Sequence, residues 1–144
     1  MRALLFAALV AALALPAQAQ LSIGGQLGDP TGLSLKAGAG PGALLLAVGY
    51  FGDAVSAEGH YVLSQRRVQG ADANIGLFYG LGVFLKVRDT AGDDDISLGL
   101  SLGIGLETTL TQDIELYGIA SPRIRLVDDT GFEFGGGVGL RLRP

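Results

Sequence analysis

Cysteine and tryptophan are absent from the 144-residue sequence, and His60 is its only histidine. Without cysteine the chain can form neither disulfides nor thiolate metal sites, and it cannot carry a lipid anchor on an N-terminal cysteine. One histidine leaves little material for a zinc site or for Ser/His/acid catalysis. The sequence also contains no phosphate-binding loop, zinc-ligand spacing or dinucleotide fingerprint, so we expect no cofactor, no metal and no enzyme activity.

The N-terminus has the three parts of an export signal. Met1 and Arg2 form a short basic start, residues 3–15 are apolar, and Ala17-Gln18-Ala19 places small residues where a signal peptidase cleaves. The alternative, a transmembrane helix, needs roughly 20 apolar residues, and this run is shorter and is broken by Pro16. We predict that residues 1–19 are a cleaved signal peptide and that residues 20–144 form a single β-barrel domain.

Basic residues are scarce in the exported part. The chain has 10 Lys and Arg against 14 Asp and Glu, and cleavage removes Arg2, which leaves nine basic residues and a formal charge of −5. An acidic exported protein is a poor candidate for binding nucleic acid, so we expect no such partner.

Glycine is abundant, with 24 residues, and many alternate with apolar residues in the period of a β-strand. In residues 96–111, leucine and isoleucine occupy one face, while glycine, serine, threonine and glutamate occupy the other. Residues 75–88 alternate in the same way. Both runs exceed the roughly 9 to 11 residues that a tilted strand needs to cross a bilayer.

Turn signals divide the exported chain into eight segments joined by short links, which predicts an all-β, antiparallel, up-and-down eight-stranded transmembrane β-barrel after the cleaved signal peptide. Pro122 falls inside the seventh segment, where a closed barrel can accept a proline only at a bulge. The predicted strands are Leu21–Leu27, Gly32–Ala37, Ala43–Phe51, Ala57–Gln65, Asn74–Arg88, Ile96–Thr111, Ile114–Val127 and Phe132–Leu142.

The glycines indicate which face points inward. The interior of an eight-stranded barrel is just wide enough for side chains, so inward positions favour small residues. The leucines would then form a continuous outward band that only lipid would tolerate, whereas a soluble lipocalin-like barrel would hide them inside. We therefore expect the leucines to face lipid.

Charged residues on the predicted inner face carry both signs, and we expect them to pair across strands because unpaired buried charges cost several kcal/mol each. If the last hairpin is centred on Asp129, Arg125 lies opposite Glu133. The predicted interior network comprises Glu58, His60, Lys86, Arg88, Glu107, Glu115, Arg123, Arg125, Glu133, Arg141 and Arg143.

Acidic residues concentrate in the connections at one rim. If the N-terminus lies in the periplasm, the outward-facing connections contain an acidic loop of Asp93, Asp94 and Asp95, together with Asp29, Asp53, Asp89, Asp128 and Asp129. The three consecutive aspartates could bind a divalent cation, but they lack the glycine and the distal glutamate of a calcium loop, which favours a solvated loop.

Three segments resemble a largely uncharacterised family of small bacterial outer-membrane barrel proteins: residues 24–36 resemble its opening hairpin, residues 78–82 its central strand and residues 134–142 its final strand. The resemblance implies an eight-stranded, OmpA- or OmpX-like membrane domain and no particular activity. The Gly137-x-x-Leu140-x-Leu142 pattern also resembles the C-terminal signal read by the barrel assembly machinery, although the chain ends in Arg143-Pro144 instead of an aromatic residue.

The leading hypothesis is a monomeric outer-membrane barrel, embedded in outer-membrane lipid, with a structural or surface-interaction role and an unspecified surface partner. One alternative is a soluble periplasmic barrel that binds an apolar ligand among inward leucines. Another is a lipid-modifying outer-membrane enzyme that uses His60, with Ser34 or Glu58 approaching from other strands. Ser64 lies on the same strand but too far along it to reach the histidine.

Overall fold

A computed structural model describes residues 21–39, 42–67, 75–90, 93–127 and 130–143, except for the side chains of residues 39, 89, 90 and 93–95. The predicted signal peptide lies outside these residues. Within the described ranges, no helix is both long and apolar enough to cross a membrane.

Eight antiparallel strands form a closed barrel in which each strand pairs with its neighbours in sequence. The ring closes between the first and last strands, where Ile23 pairs with Leu142 and Asp29 with Gly136. The eight-stranded antiparallel barrel predicted from the alternation is thus confirmed. The strands are β1 (Leu21–Asp29), β2 (Thr31–Ala39), β3 (Gly42–Phe51), β4 (Ala54–Arg67), β5 (Ile75–Thr90), β6 (Asp93–Thr109), β7 (Ile114–Arg125) and β8 (Gly131–Leu142).

Several strands are longer than the turn signals predicted. β1 and β2 each have nine residues, and only Pro30 separates them. Their hairpin is held by Thr31, whose Oγ1 accepts from the Gly28 N–H at 2.9 Å and donates to the Gly28 carbonyl at 2.8 Å. The β1–β2 ladder ends at Gln26 and Gly32, and the strands extend beyond it because Asp29 pairs with β8 and Thr31 pairs with β3.

The two faces of the barrel follow the alternation on most strands, but Leu45 faces the interior and packs with Ala43, Val62 and Phe78, so the prediction that the leucines face outward was wrong there. Outward residues such as Leu81 and Leu100 are 58% and 54% exposed, whereas inward Phe78 and Phe84 are almost completely buried. Three buried inward rings each lie opposite a glycine on the next strand, because the narrow interior has room for only one of the two side chains. The pairs are Phe78 with Gly105, Phe84 with Gly99, and Tyr117 with Gly139.

A bulge at Leu63 changes which residues of β4 face inward. Val62 pairs with Gly80, but Ser64 pairs with Tyr79, so β4 contains one extra residue at this point. The extra residue reverses the alternation, because successive side chains of a strand point to opposite faces. Gln65 consequently faces the interior, which the uniform alternation did not predict.

Pro122 is accommodated differently from the prediction. β7 keeps one register with β6 on both sides of the proline, and with β8 it pairs without a shift, Pro122 itself lying opposite Phe134. In the described β6–β7 ladder, Leu102 and Gly103 have no partners opposite Pro122 and Ser121. The prediction of a bulge was therefore wrong: since proline has no N–H to donate, the ladder is interrupted locally instead.

Candidate functional site

Arg123 lies at the centre of the barrel and is fully buried. Its Nε donates to Glu58 Oε2 at 2.7 Å, its Nη1 to Asp29 Oδ2 at 2.9 Å, and its Nη2 to the Asp29 carbonyl at 2.9 Å. The guanidinium also lies over the ring of Phe84, 5.2 Å from its centroid. One arginine thus ties β7 to β1 and β4 across the interior, in the forked geometry that suits guanidinium groups.

Lys86 extends this network towards the end of the barrel opposite the chain termini, here called the hairpin end. Its Nζ donates to Asp29 Oδ2 at 2.9 Å and to Glu133 Oε1 at 2.5 Å, and it lies 4.9 Å from the ring centroid of Phe51. We call Asp29, Glu58, Lys86, Arg123 and Glu133 the Asp29 cluster. Every member of this cluster has an oppositely charged partner within 3 Å.

His60 meets a serine that the sequence did not single out. His60 Nε2 and Ser101 Oγ are 2.8 Å apart, and Ser101 Oγ donates to Glu58 Oε2 at 2.7 Å. Glu58 approaches the same ring nitrogen, Nε2, at 3.8 Å. In a Ser–His–acid triad, serine and acid contact different ring nitrogens. The three residues therefore lack the order of a triad, and all are buried.

A second group of charges lies near the termini end, the end at which β1 begins and β8 finishes. Lys36 Nζ is 2.8 Å from Glu107 Oε2 and 3.6 Å from Glu115 Oε1, and Arg141 Nη1 donates to Glu115 Oε1 at 2.9 Å. Gln65, turned inward by the bulge, donates to Glu107 Oε1 at 2.6 Å. We call Lys36, Glu107, Glu115 and Arg141 the Glu115 cluster.

Neutral groups fill the space between the clusters. Tyr117 Oη is 2.6 Å from Ser34 Oγ and 2.9 Å from Gln26 Oε1, and the Arg141 guanidinium lies 3.6 Å from the centroid of the Tyr117 ring. The cavity between Ser34 and His60 has a volume of about 10 Å³. Such a space holds one water at most, so the middle of the described interior is filled by side chains.

Larger cavities open only towards the two ends of the described barrel. At the termini end, cavities of about 320 and 260 Å³ share Gln65, Glu107, Glu115 and Arg143 in their linings. At the hairpin end, a cavity of about 300 Å³ is lined by residues that include Phe51, Lys86, Arg88, Ser97, Arg125, Phe132 and Glu133.

Most residues of the predicted network lie inside the barrel, whereas Arg88 lies on the inward face at its mouth. Its side chain is 46% exposed and its Nε is 3.1 Å from Asp53 Oδ1, since β5 has reached the mouth of the barrel at this point. The structure places Glu58, His60, Lys86, Glu115, Arg123 and Arg141 in the buried interior, Glu107, Glu133 and Arg125 nearer the mouths, and Arg143 at the termini end.

The predicted pairing of Arg125 with Glu133 was wrong in register. Glu133 lies opposite Arg123, and Arg125 lies opposite Gly131, so the hairpin pairing is displaced by two residues. A two-residue displacement keeps each side chain on its predicted face. Arg125 Nε consequently remains 3.8 Å from Glu133 Oε2 as a diagonal neighbour.

Asp29 was predicted at an acidic rim, but it is buried. It belongs to β1 and accepts from Lys86 and Arg123. The backbones of Asp93, Asp94 and Asp95 belong to β6, where they pair with residues 88–90, so the structure does not place them in a loop. Their side chains, like Asp128 and Asp129, lie outside the described residues. Lys36, Gln65 and Ser101 also belong to the network and were not predicted as members. Lys36 and Ser101 alternate with leucines, which placed them on the polar face, whereas Gln65 faces inward only because of the bulge.

Comparison with known proteins finds no matching family model, no similar curated protein and no similar solved structure. The family resemblance described above therefore stays a prediction. Within the described residues, no group of three or more His, Asp or Glu side chains is arranged to hold a metal ion.

Proposed function

We propose that the chain is a small outer-membrane β-barrel protein with a structural or surface-interaction role. The observation that carries this proposal is the outward band of large apolar residues. It includes Leu81, Val83, Leu100 and Val138, each more than half exposed, and each of the eight strands has at least one exposed large apolar side chain. Soluble monomers rarely expose contiguous apolar patches above a few hundred Å², whereas lipid covers such a band.

The position of the charges supports the same proposal. Charged side chains pair inside the barrel, and the outward faces of the long strands β5 and β6 carry leucine, isoleucine, valine and tyrosine along most of their length. This distribution is the reverse of a soluble barrel that binds an apolar ligand, which needs an apolar interior. The 16 and 17 residues of β5 and β6 exceed the roughly 9 to 11 needed to cross a bilayer, and the nine of β1 and β2 reach that range.

The filled interior favours a structural or binding role over transport. Arg123, Glu58 and Asp29 close the centre with bonds of 2.7 to 2.9 Å. An ion would have to displace these groups from their partners, each of which is buried. Contacts with lipid or a partner would therefore be made by the outer surface and the two ends.

Cell fractionation combined with gel migration tests the proposal. Cells expressing the untagged protein are separated into outer membrane and periplasm, and each fraction is run with and without boiling, because closed membrane barrels migrate faster until heat unfolds them. We expect the protein in the outer membrane with a heat-dependent shift. A soluble periplasmic product without the shift would contradict the proposal and favour the soluble alternative.

A further inference from the structure

We infer that the termini end of the barrel contains a binding site for a phosphate group, formed by Arg67 and Arg143. Both arginines line the cavity of about 320 Å³ together with Gln65, Glu107, Glu115 and Thr109. Arg66 and Thr108 also border it, but they belong to the outward faces of β4 and β6. This volume is at the lower end of the range for small-molecule sites. The inference depends on the geometry of the barrel end and does not require a membrane location.

The bulge at Leu63 creates the site. Arg67 pairs with Gly76, and a Cβ placed on Gly76 would lie 3.4 Å from Glu107 Cγ, which shows that this pair faces the interior. Without the extra residue in β4, the alternation would turn Arg67 away from the cavity. The one-residue irregularity thus determines that Arg67, and not Arg66, faces the mouth of the barrel.

The two carboxylates of the cavity already accept hydrogen bonds from side chains inside the barrel. Glu107 accepts from Lys36 at 2.8 Å and from Gln65 at 2.6 Å. Glu115 accepts from Arg141 at 2.9 Å, and Arg143 Nη2 lies 3.4 Å from its second oxygen. Both acids are therefore paired with cations deeper in the barrel. Among the described residues, Arg143 keeps its contact with Glu115, whereas Arg67 has no carboxylate partner.

Arg66 and Arg67 are exposed, and no carboxylate of the described residues lies within 4 Å of either guanidinium. Arg143 is 49% exposed and keeps donors free beyond its contact with Glu115. A guanidinium group can bind phosphate oxygens through two parallel N–H donors, and Thr109, on the inward face of β6, adds a neutral hydroxyl donor. A phosphate group satisfies several of these donors at once, which a single carboxylate does less completely.

The phosphate could belong to a lipid headgroup or to a free ion. The test titrates the folded protein, held in a detergent without phosphate, with inorganic phosphate in one arm and with short-chain phosphatidylglycerol in the other. Heat of binding is measured at constant ionic strength, because salt screens exposed charges. Saturable binding in either arm supports the site, and the arm that binds identifies the source.

Arg67→Gln removes the inward cation, and Arg88→Gln is the matched control, since it removes the same charge at the opposite end. We expect Arg67→Gln to raise Kd about tenfold, because the variant loses one charge-assisted hydrogen bond, and about 1.4 kcal/mol of binding free energy corresponds to a factor of ten in Kd. Arg88→Gln should leave Kd within about twofold, since charges farther away than a Debye length are largely screened. Absence of saturable binding in both arms, or equal weakening by the two variants while both remain folded, would overturn the inference.

Discussion

Replacing Arg123 with methionine should destabilise the barrel more than any change to a charge at its mouths. The side chain is fully buried and donates three hydrogen bonds of 2.7 to 2.9 Å to Asp29 and Glu58. Methionine fills part of the volume but donates no hydrogen bond and carries no charge. The substitution therefore leaves the buried carboxylates of Asp29 and Glu58 without their shared cation.

The magnitude follows from what remains around each acid. Asp29 keeps Lys86 at 2.9 Å, whereas Glu58 keeps only the Ser101 hydroxyl at 2.7 Å and His60 at 3.8 Å. Removing one partner of a buried ion pair costs about 3–5 kcal/mol. The double variant Arg123→Met/Glu58→Gln removes the less compensated charge as well, and it should recover about 1–2 kcal/mol of that loss.

Denaturant unfolding of the protein in lipid vesicles measures these differences, with Arg88→Met as the control. Arg88 and Asp53 are 46% and 74% exposed, so their ion pair should contribute less than about 1 kcal/mol. The reasoning would be refuted if Arg123→Met lost no more stability than Arg88→Met, or if adding Glu58→Gln deepened the loss.

Three further predictions concern packing, lipid contact and catalysis. A Cβ on Gly135 would collide with the buried guanidinium of β7, so Gly135→Ala should cost about 1–3 kcal/mol in unfolding free energy, whereas Gly59→Ala, with neighbours at 3.7 Å, should be nearly neutral. Equal effects would count against the packing argument. Leu100→Lys, at mid-strand on the outer face, should lower the free energy of unfolding in vesicles by about 2–4 kcal/mol, and Leu110→Lys, in the β6–β7 turn, by about 0–1 kcal/mol. A Leu100→Lys variant as stable as the original protein would contradict lipid contact. His60→Ala should leave the lipid composition of the outer membrane unchanged when measured by mass spectrometry, because His60, Ser101 and Glu58 are not arranged as a catalytic triad. An altered lipid composition would support the enzyme alternative.

The strand period made the barrel predictable. Alternation over residues 75–88 and 96–111 indicated β-strands, the turn signals indicated eight of them, and the glycine face indicated the orientation of most leucines. The local hairpin register was less accessible, because Arg123 and Arg125 share a face and either could meet Glu133. Both registers satisfy the same pattern of faces, and the structure selects Arg123.

The interior network could be predicted only in part, because its key contacts cross the barrel. Arg123 and Asp29 are 94 residues apart in the chain, and they meet because of how the ring closes, which alternation does not report. Asp29 also follows a glycine and precedes a proline, so it resembled a turn residue. The Leu63 bulge has no turn chemistry around it, and its effect on Gln65 and Arg67 required the pairing of β4 with β5.

The most direct test of the central claim measures the depth of the outer face in a membrane. Because the chain has no cysteine, single cysteines at Ile96, Leu98, Leu100, Leu102, Ile104 and Leu106 can each carry a nitroxide in protein reconstituted in vesicles, with Leu110 as the reference in the turn. The account predicts that collisions with oxygen, relative to those with a water-soluble nickel chelate, rise to a maximum near Leu100 and Leu102 and fall towards both ends of β6. A flat profile equal to that of Leu110 would contradict it.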